Sequence, residues 1–315
     1  MNATVQSIVE QFPYWSATFP APITDRTTTH VILGCGTSYN LALSIAAALN
    51  ESGIPALAIP AGEWTIRPQS YLPAGTAVKI IALSRSGETT ETVDAARASR
   101  LRGQHVTGIT CAPGSALSQN SDLAVEFPTH PAEGVVMTVS ASLMLLAGYA
   151  LAGHAPTAVL AKAAEALMSQ ASAIPAEFHA KTHVVFLGAG SQYGVALEGA
   201  LKLQEMALTF TQAFHPGEYR HGPVSLIDQN SAVVMLYHAE TMVEEAKLVA
   251  ELQAKGAFVV GFGGPGTISL PISQATPLRG AEVLPALQII GENHARARSI
   301  DTTAPRHLTK VVVLA

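Results

Sequence analysis

The stretch His30-Val-Ile-Leu-Gly-Cys-Gly-Thr-Ser-Tyr39 returns 154 residues later as Val184-Val-Phe-Leu-Gly-Ala-Gly-Ser-Gln-Tyr193. Each copy is an apolar run of strand length, a Gly-x-Gly turn and a helix-forming stretch, Leu41 to Asn50 in one and Val195 to Leu208 in the other. A second echo lies at nearly the same offset, where Ile80-Ile-Ala-Leu-Ser-Arg-Ser-Gly-Glu-Thr89 parallels Val233-Val-Met-Leu-Tyr-His-Ala-Glu-Thr241. Two tandem copies of one α/β unit account for both echoes. They also suit a chain of 315 residues, about twice the usual domain size.

Outward from these turns, the first half reads as strands near 30–34, 56–60, 78–83, 105–110 and 123–127. The second half reads as strands near 183–187, 232–236, 257–261 and 311–314. Uninterrupted Val/Ile/Leu runs separated by helical stretches, such as Glu88 to Arg102, mark parallel strands buried on both faces. The predicted fold is α/β: two doubly wound, mostly parallel five-stranded sheets flanked by helices, flavodoxin- or Rossmann-like. The division is placed between residues 155 and 156. A helix from about Thr157 to Ala173 then leads into the second half.

Apolar residues make up 48% of the chain and mean hydropathy is +0.29, which excludes disorder and promises a large core. With 18 basic and 23 acidic residues the formal charge is −5, so there is no basic excess for nucleic acid to use. Charged residues are only 13%, against about 25% in ordinary domains. So sparse a charge suggests that a second subunit covers part of the surface, as in a homodimer. Two cysteines, Cys35 and Cys111, make neither a disulfide framework nor a zinc ribbon and fit a reducing compartment. Residues 1–19 lack a basic region before an apolar core, so a cytoplasmic location is expected. Gly134 to Ala161 carries no Asp, Glu, Lys or Arg, but Thr138, Ser140, Ser142, Gly148 and Gly153 and the absence of flanking basic residues make it a buried helix rather than a membrane span.

Five places carry chemistry. Gly34-Cys-Gly-Thr-Ser38 opens a helix after a strand, where free N–H groups attract an anion. A dinucleotide fingerprint would want glycine where Tyr39 stands, and a plain structural turn is the other reading. Ser84-Arg-Ser-Gly-Glu-Thr89 offers three hydroxyls beside the next helix start, suited to a phosphate without a metal or to simple capping. Glu198, Lys202 and Glu205 share one helical face at i, i+4, i+7, as a salt-bridged surface or as a proton-transfer group next to developing charge. The loop of His215, Glu218 and His221 matches no metal pattern, and its histidines suit proton shuttling. Lys310 is a surface lysine or, if desolvated, an amine able to form a Schiff base with a sugar carbonyl.

Together these segments resemble the tandem SIS (sugar isomerase) domain family. The likeness is to the isomerase half of glucosamine-6-phosphate synthases (glutamine–fructose-6-phosphate aminotransferases) and to stand-alone SIS-type glucosamine-6-phosphate deaminases. It rests on Cys35-Gly-Thr-Ser-Tyr39, Ser84-Arg-Ser-Gly-Glu-Thr89, Ala196-Leu-Glu-Gly-Ala-Leu-Lys-Leu-Gln-Glu205, Gly217-Glu-Tyr-Arg-His-Gly-Pro-Val-Ser-Leu-Ile-Asp228 and Pro305-Arg-His-Leu-Thr-Lys310. The sequence runs from Met-Asn-Ala almost directly into the first unit, so no glutamine hydrolysis is expected, which points to the stand-alone relatives. The resemblance implies that Cys35, Gly36, Thr37, Ser38, Ser84, Arg85, Ser86 and Thr89 bind an amino-sugar phosphate, with Val136 and Thr138 in the stretch before the charge-free helix. It further implies Glu205 as the base moving a proton between C2 and C1, Lys202 offsetting charge on oxygen, and Glu198 orienting Lys202. His221 would assist ring opening, from the other subunit of a dimer, and Lys310 would hold the open chain. It implies no cofactor and no metal. Alternatives kept open are a deglycase of sugar–amino-acid adducts, a plain aldose–ketose isomerase, and a non-catalytic sugar-phosphate sensor.

Overall fold

The computed structural model describes residues 2–314. Its first sheet is built from β1 (Thr29–Gly34), β2 (Ala56–Pro60), β3 (Val78–Ser84), β4 (Val106–Thr110) and β5 (Leu123–Glu126), in the order β2-β1-β3-β4-β5. The second holds β6 (His183–Gly188), β7 (Phe210–Phe214), β8 (Ser231–Leu236), β9 (Phe258–Phe262) and β10 (Ile268–Leu270), in the order β10-β9-β8-β6-β7. Counted within each half, the two orders are the same, and every pairing is parallel. The predicted fold class is therefore the observed one.

Twelve α-helices accompany the strands among the described residues. They are α1 (Ala3–Val9), α2 (Thr37–Glu51), α3 (Ala61–Ile66), α4 (Thr90–Leu101), α5 (Ala116–Gln119), α6 (Val139–Leu151), α7 (Ala158–Ala171), α8 (Ala176–His179), α9 (Ser191–Ala207), α10 (Pro216–Tyr219), α11 (Met242–Ala254) and α12 (Leu278–Ala297). The charge-free stretch becomes α6, buried along its whole length. Its Gly148 lets Ile45 of α2 come so close that a Cβ there would lie 2.3 Å from the Ile45 Cδ1. Among the described residues no helix is long and apolar enough to cross a membrane.

Three sequence expectations need correction. Residues 311–314 are not a strand. Leu314 donates its N–H to the Thr90 Oγ1 (3.0 Å) and Val312 accepts from the Thr90 N–H (3.4 Å), so the tail lies on the start of α4 in the first half. Its apolar side chains stay exposed, Val313 to 70%, so the run that resembles a strand is not covered by a core. The strands missed are β7 and β10. β7 carries Thr211 and Gln212 in its middle and sits at a sheet edge, and β10 is three residues long. Helix α4 begins at Thr90, two residues later than expected.

The second half buries a histidine pair. His294 is fully buried and His179 nearly so, with their Nδ1 atoms 3.4 Å apart and the His294 Nε2 without a partner. Burial, then the positive Arg298 nearby, pulls His179 down to about 4 and His294 down to about 3. Both are neutral in the fold, whereas an unfolded chain protonates them near 6.5. Stability is therefore complete above pH 6.5 and falls as pH drops toward 4. The loss is about 1.4 kcal/mol per pH unit for each histidine. Melting curves from pH 7 to pH 4 should show this slope, and His294→Leu should flatten it. An unchanged slope in the variant would mean that the pair is not its source.

Candidate active site

The first Gly-x-Gly turn ends β1 and starts α2. Gly34 must be glycine because a Cβ there would fall 2.5 Å from the backbone carbon of Ser38. Gly36 has φ +55°, a conformation that side chains resist. No side chain caps α2, so the positive end of its dipole faces outward. Beside it, β3 runs into the hydroxyl loop. Ser84 Oγ accepts the Gly87 N–H (3.1 Å) and donates to Thr89 Oγ1 (3.4 Å), while Ser86 Oγ accepts the Glu88 N–H (3.2 Å). Both turns lie at the carboxyl ends of adjacent strands, where a doubly wound sheet opens a crevice.

A cavity of about 220 Å³ fills that crevice. Of the residues expected to bind substrate, Cys35, Gly36, Thr37, Ser38, Ser84, Arg85, Ser86 and Thr89 all line it. The Cys35 thiol is pushed up by burial, which keeps it protonated, and it sits 3.7 Å from Thr92 Oγ1 as part of the wall. Val136 and Thr138 do not line the cavity. Val136 is packed into the core, and Thr138 turns to Ser7 (Oγ1 to Oγ, 2.8 Å) with its N–H on the Glu133 carboxylate (2.8 Å). Their neighbours Val135 and Met137 line it instead. Glu91 and Thr92, in the first turn of α4, were also missed. Their position directly after the hydroxyl loop was the available signal.

The second half reaches this cavity through α9. Helices α2 and α9 pack antiparallel and nearly backbone to backbone. A Cβ on Gly194 would lie 2.3 Å from the Asn40 carbonyl oxygen, and Ser44 donates to the Ser191 carbonyl at 2.6 Å. Glu198 is thereby carried to the start of α2, where it accepts from Thr37 Oγ1 (3.0 Å) and Asn40 Nδ2 (3.1 Å). Lys202 Nζ lies 3.3 Å from Glu198 and 2.5 Å from Glu205, and donates to Thr37 Oγ1 at 3.3 Å. Glu198 and Lys202 are fully buried, and only Glu205 of the three faces the cavity. Lys202 therefore does not meet a bound molecule directly, which departs from its expected place beside the charged oxygen, because α2 covers it. It acts on the cavity through Glu205 and Thr37. Burial works against its ammonium, but Glu198 and Glu205 outweigh that and hold its pKa above the usual lysine value. Burial raises the Glu198 carboxyl despite Lys202.

The C-terminal segment closes one side. Lys310 lines the cavity with Leu308, Thr309 and Val312, and its Nζ donates to the Glu133 carbonyl at 2.8 Å. His221 does not line it. It stands exposed on the loop after α10, its N–H bonded to the Glu218 carbonyl, while His215 stacks on Tyr193 at 3.9 Å. Among the described residues no three His, Cys, Asp or Glu side chains are grouped to hold a metal ion. A wider hollow of about 940 Å³, walled by Tyr14, Trp15 and His130, lies elsewhere and contains no hydroxyl loop.

The pattern of the SIS domain matches residues 25–153 and again residues 177–265. The chain belongs to the SIS domain family. The glutamine–fructose-6-phosphate aminotransferase (isomerizing) of Pyrobaculum aerophilum is 29% identical over 310 residues, covering 90% of this chain and 51% of that protein. The Escherichia coli K12 enzyme of the same name is 30% identical over 315 residues, with the same shares. The chain thus spans about half the length of these relatives. Among solved structures, a glucosamine-6-phosphate deaminase from Thermotoga maritima shares 31% identity at TM-score 0.86, over 99% of this chain and 100% of that one. A tagatose-6-phosphate ketose/aldose isomerase from Escherichia coli, at 23% identity and TM-score 0.76 over 93% of this chain and 89% of that one, shares the fold.

The second SIS unit repeats the turn without the cavity chemistry. Gly190 has the φ of Gly36, +55°. Here, however, Glu51 of α2 accepts the Ser191 N–H (3.3 Å), and Glu245 accepts the His238 N–H (2.9 Å) and Thr241 Oγ1 (2.8 Å). The chain's own carboxylates sit on the groups that would attract an anion.

Proposed function

We propose that this SIS protein is a phosphosugar isomerase/deaminase that converts glucosamine 6-phosphate and water to fructose 6-phosphate and ammonia. One observation carries the reading. A hydroxyl loop and helix start fit for a phosphate, a carboxylate held by a buried lysine, and an amine-bearing lysine all line one 220 Å³ cavity. The similarity to the Thermotoga maritima deaminase over the whole chain supports it.

The phosphate is bound by Ser84, Ser86 and Thr89 with the α2 turn of Gly36, Thr37 and Ser38. Once the ring is open, Glu205 takes the C2 proton of the aldehyde form, giving an enolamine, and returns a proton to C1. The product is an imine at C2. Water adds there, and collapse of the carbinolamine expels ammonia and leaves the C2 ketone. The acidic C–H lies next to the carbonyl, so Glu205 needs no electron sink beyond the sugar itself. Lys202 and Glu198 hold the Glu205 carboxylate in place. Lys310 engages the open chain. His221 assists ring opening from a second copy of the chain in a homodimer.

The test is release of ammonia and fructose 6-phosphate from glucosamine 6-phosphate with no glutamine present. Equal amounts of both are expected. If neither forms but the sugar phosphate raises the melting temperature, the deaminase reading fails and the substrate is another adduct, as for a deglycase.

A further inference from the structure

We propose that Arg85 is a positioning residue for Lys310 and not a ligand of the phosphate. Arg85 stands in the middle of the hydroxyl loop, between Ser84 and Ser86, where a cation would ordinarily be assigned to the anion. Its guanidinium is committed elsewhere. Nη1 donates to the Gly134 carbonyl (3.0 Å) and the Val135 carbonyl (2.9 Å), and Nη2 donates to the Lys310 carbonyl (2.7 Å). The residue is 8% exposed, and no carboxylate among the described residues lies within ion-pair distance of it.

These bonds close a ring of contacts. The loop 133–135 holds the backbone of residue 310 through Arg85, and it holds the Lys310 side chain through the Glu133 carbonyl at 2.8 Å. Among the described residues the segment after α12 forms neither helix nor strand, so it owes its course to such fixings. A planar fork with five donors can bridge three carbonyls on two segments, and a lysine cannot copy that geometry. Arg85 thus joins the loop that receives the phosphate to the tail that carries Lys310.

The inference rests on the reading that Lys310 acts on the open-chain sugar. The experiment pairs Arg85→Ala and Arg85→Lys with Lys310→Ala and the Arg85→Ala/Lys310→Ala double variant. Misplacing a reacting group by about 1 Å costs on the order of 100-fold, so both Arg85 variants should lose about 10- to 100-fold in kcat with KM nearly unchanged. In the Lys310→Ala background, Arg85→Ala should cost less than about twofold further, because coupled residues are not additive. Affinity for inorganic phosphate should stay within about twofold of the wild type, and amide exchange at Leu308 and Leu314, the tail amides with an acceptor among the described residues, should quicken at least about tenfold. A phosphate affinity that falls as far as kcat/KM would make Arg85 a phosphate ligand and overturn the proposal. So would unchanged exchange in the tail. If the wild type turns over no sugar phosphate, the functional reading fails, while phosphate binding and tail exchange still decide the role of Arg85. Arg85→Lys keeps the charge and guards against misfolding of the alanine variant.

Discussion

Glu205→Gln should bind inorganic phosphate as the wild type does and lose about 10²- to 10⁴-fold in turnover of glucosamine 6-phosphate, the usual worth of a positioned general base. The amide keeps the size of the side chain and can accept from Lys202, so the cavity keeps its shape. It cannot take the C2 proton. Two carboxylates line the cavity, Glu205 and Glu91, and only Glu205 has an ammonium on its oxygen, 2.5 Å away. Glu91→Gln is therefore the control and should cost far less. Steady-state rates with phosphate affinity for both variants give the answer. Turnover that survives in Glu205→Gln and collapses in Glu91→Gln would move the base to the start of α4.

Lys202→Met should be the most destabilising single change in the site. Removing one partner from a buried ionic cluster costs about 3–5 kcal/mol, because the charge left behind is uncompensated. Here the group left behind is Glu198, fully buried, with Thr37 and Asn40 as its only other hydrogen-bond partners among the described residues. Its carboxyl already sits above the usual range through burial, and without Lys202 it rises further. A carboxyl with a raised folded pKa binds a proton more readily folded than unfolded, so the deficit of the variant shrinks as pH falls. Urea unfolding at pH 8 and pH 5.5 measures it, and Glu198→Gln in the same chain should restore part of the loss. A deficit under about 1 kcal/mol at pH 8 would show that the cluster is not the desolvated unit the distances describe.

The apolar runs made the sheets legible. A strand buried on both faces has to be written in Val, Ile and Leu, and β1, β3, β6, β8 and β9 carry that mark. The same mark misleads at Val311–Leu314, because composition says nothing about whether a neighbouring strand is free to pair. Edge strands such as Phe210–Phe214 tolerate polar residues and escape the pattern. In the cavity, the hydroxyl loop was visible because serine and threonine cluster at a helix start. Glu198, Lys202 and Glu205 could be placed on one helical face, but spacing cannot tell that α2 would cover two of them and leave one bare. Residues 135–138 were off by one position for a related reason. Which of two neighbours faces a cavity is set by the Glu133 carboxylate gathering the backbone of Thr138, a contact with no trace in the order of residue types.

Helices α2 and α9 are seated antiparallel. Glu51 and Glu205 are 154 residues apart, the spacing of the repeat itself. Each closes its helix near the opening of the other, Glu51 on Ser191 and Glu205 beside Thr37 and Ser38. On the proposed reading, one SIS unit supplies the base to the other. A fragment ending at Leu151 would keep the hydroxyl loop and lack Glu205, and one starting at Ala158 would keep Glu205 and lack the hydroxyl loop. The proposed chemistry belongs to the seam, so substitutions on the outer surfaces should be tolerated while those along the face where Gly194 meets Asn40 should not.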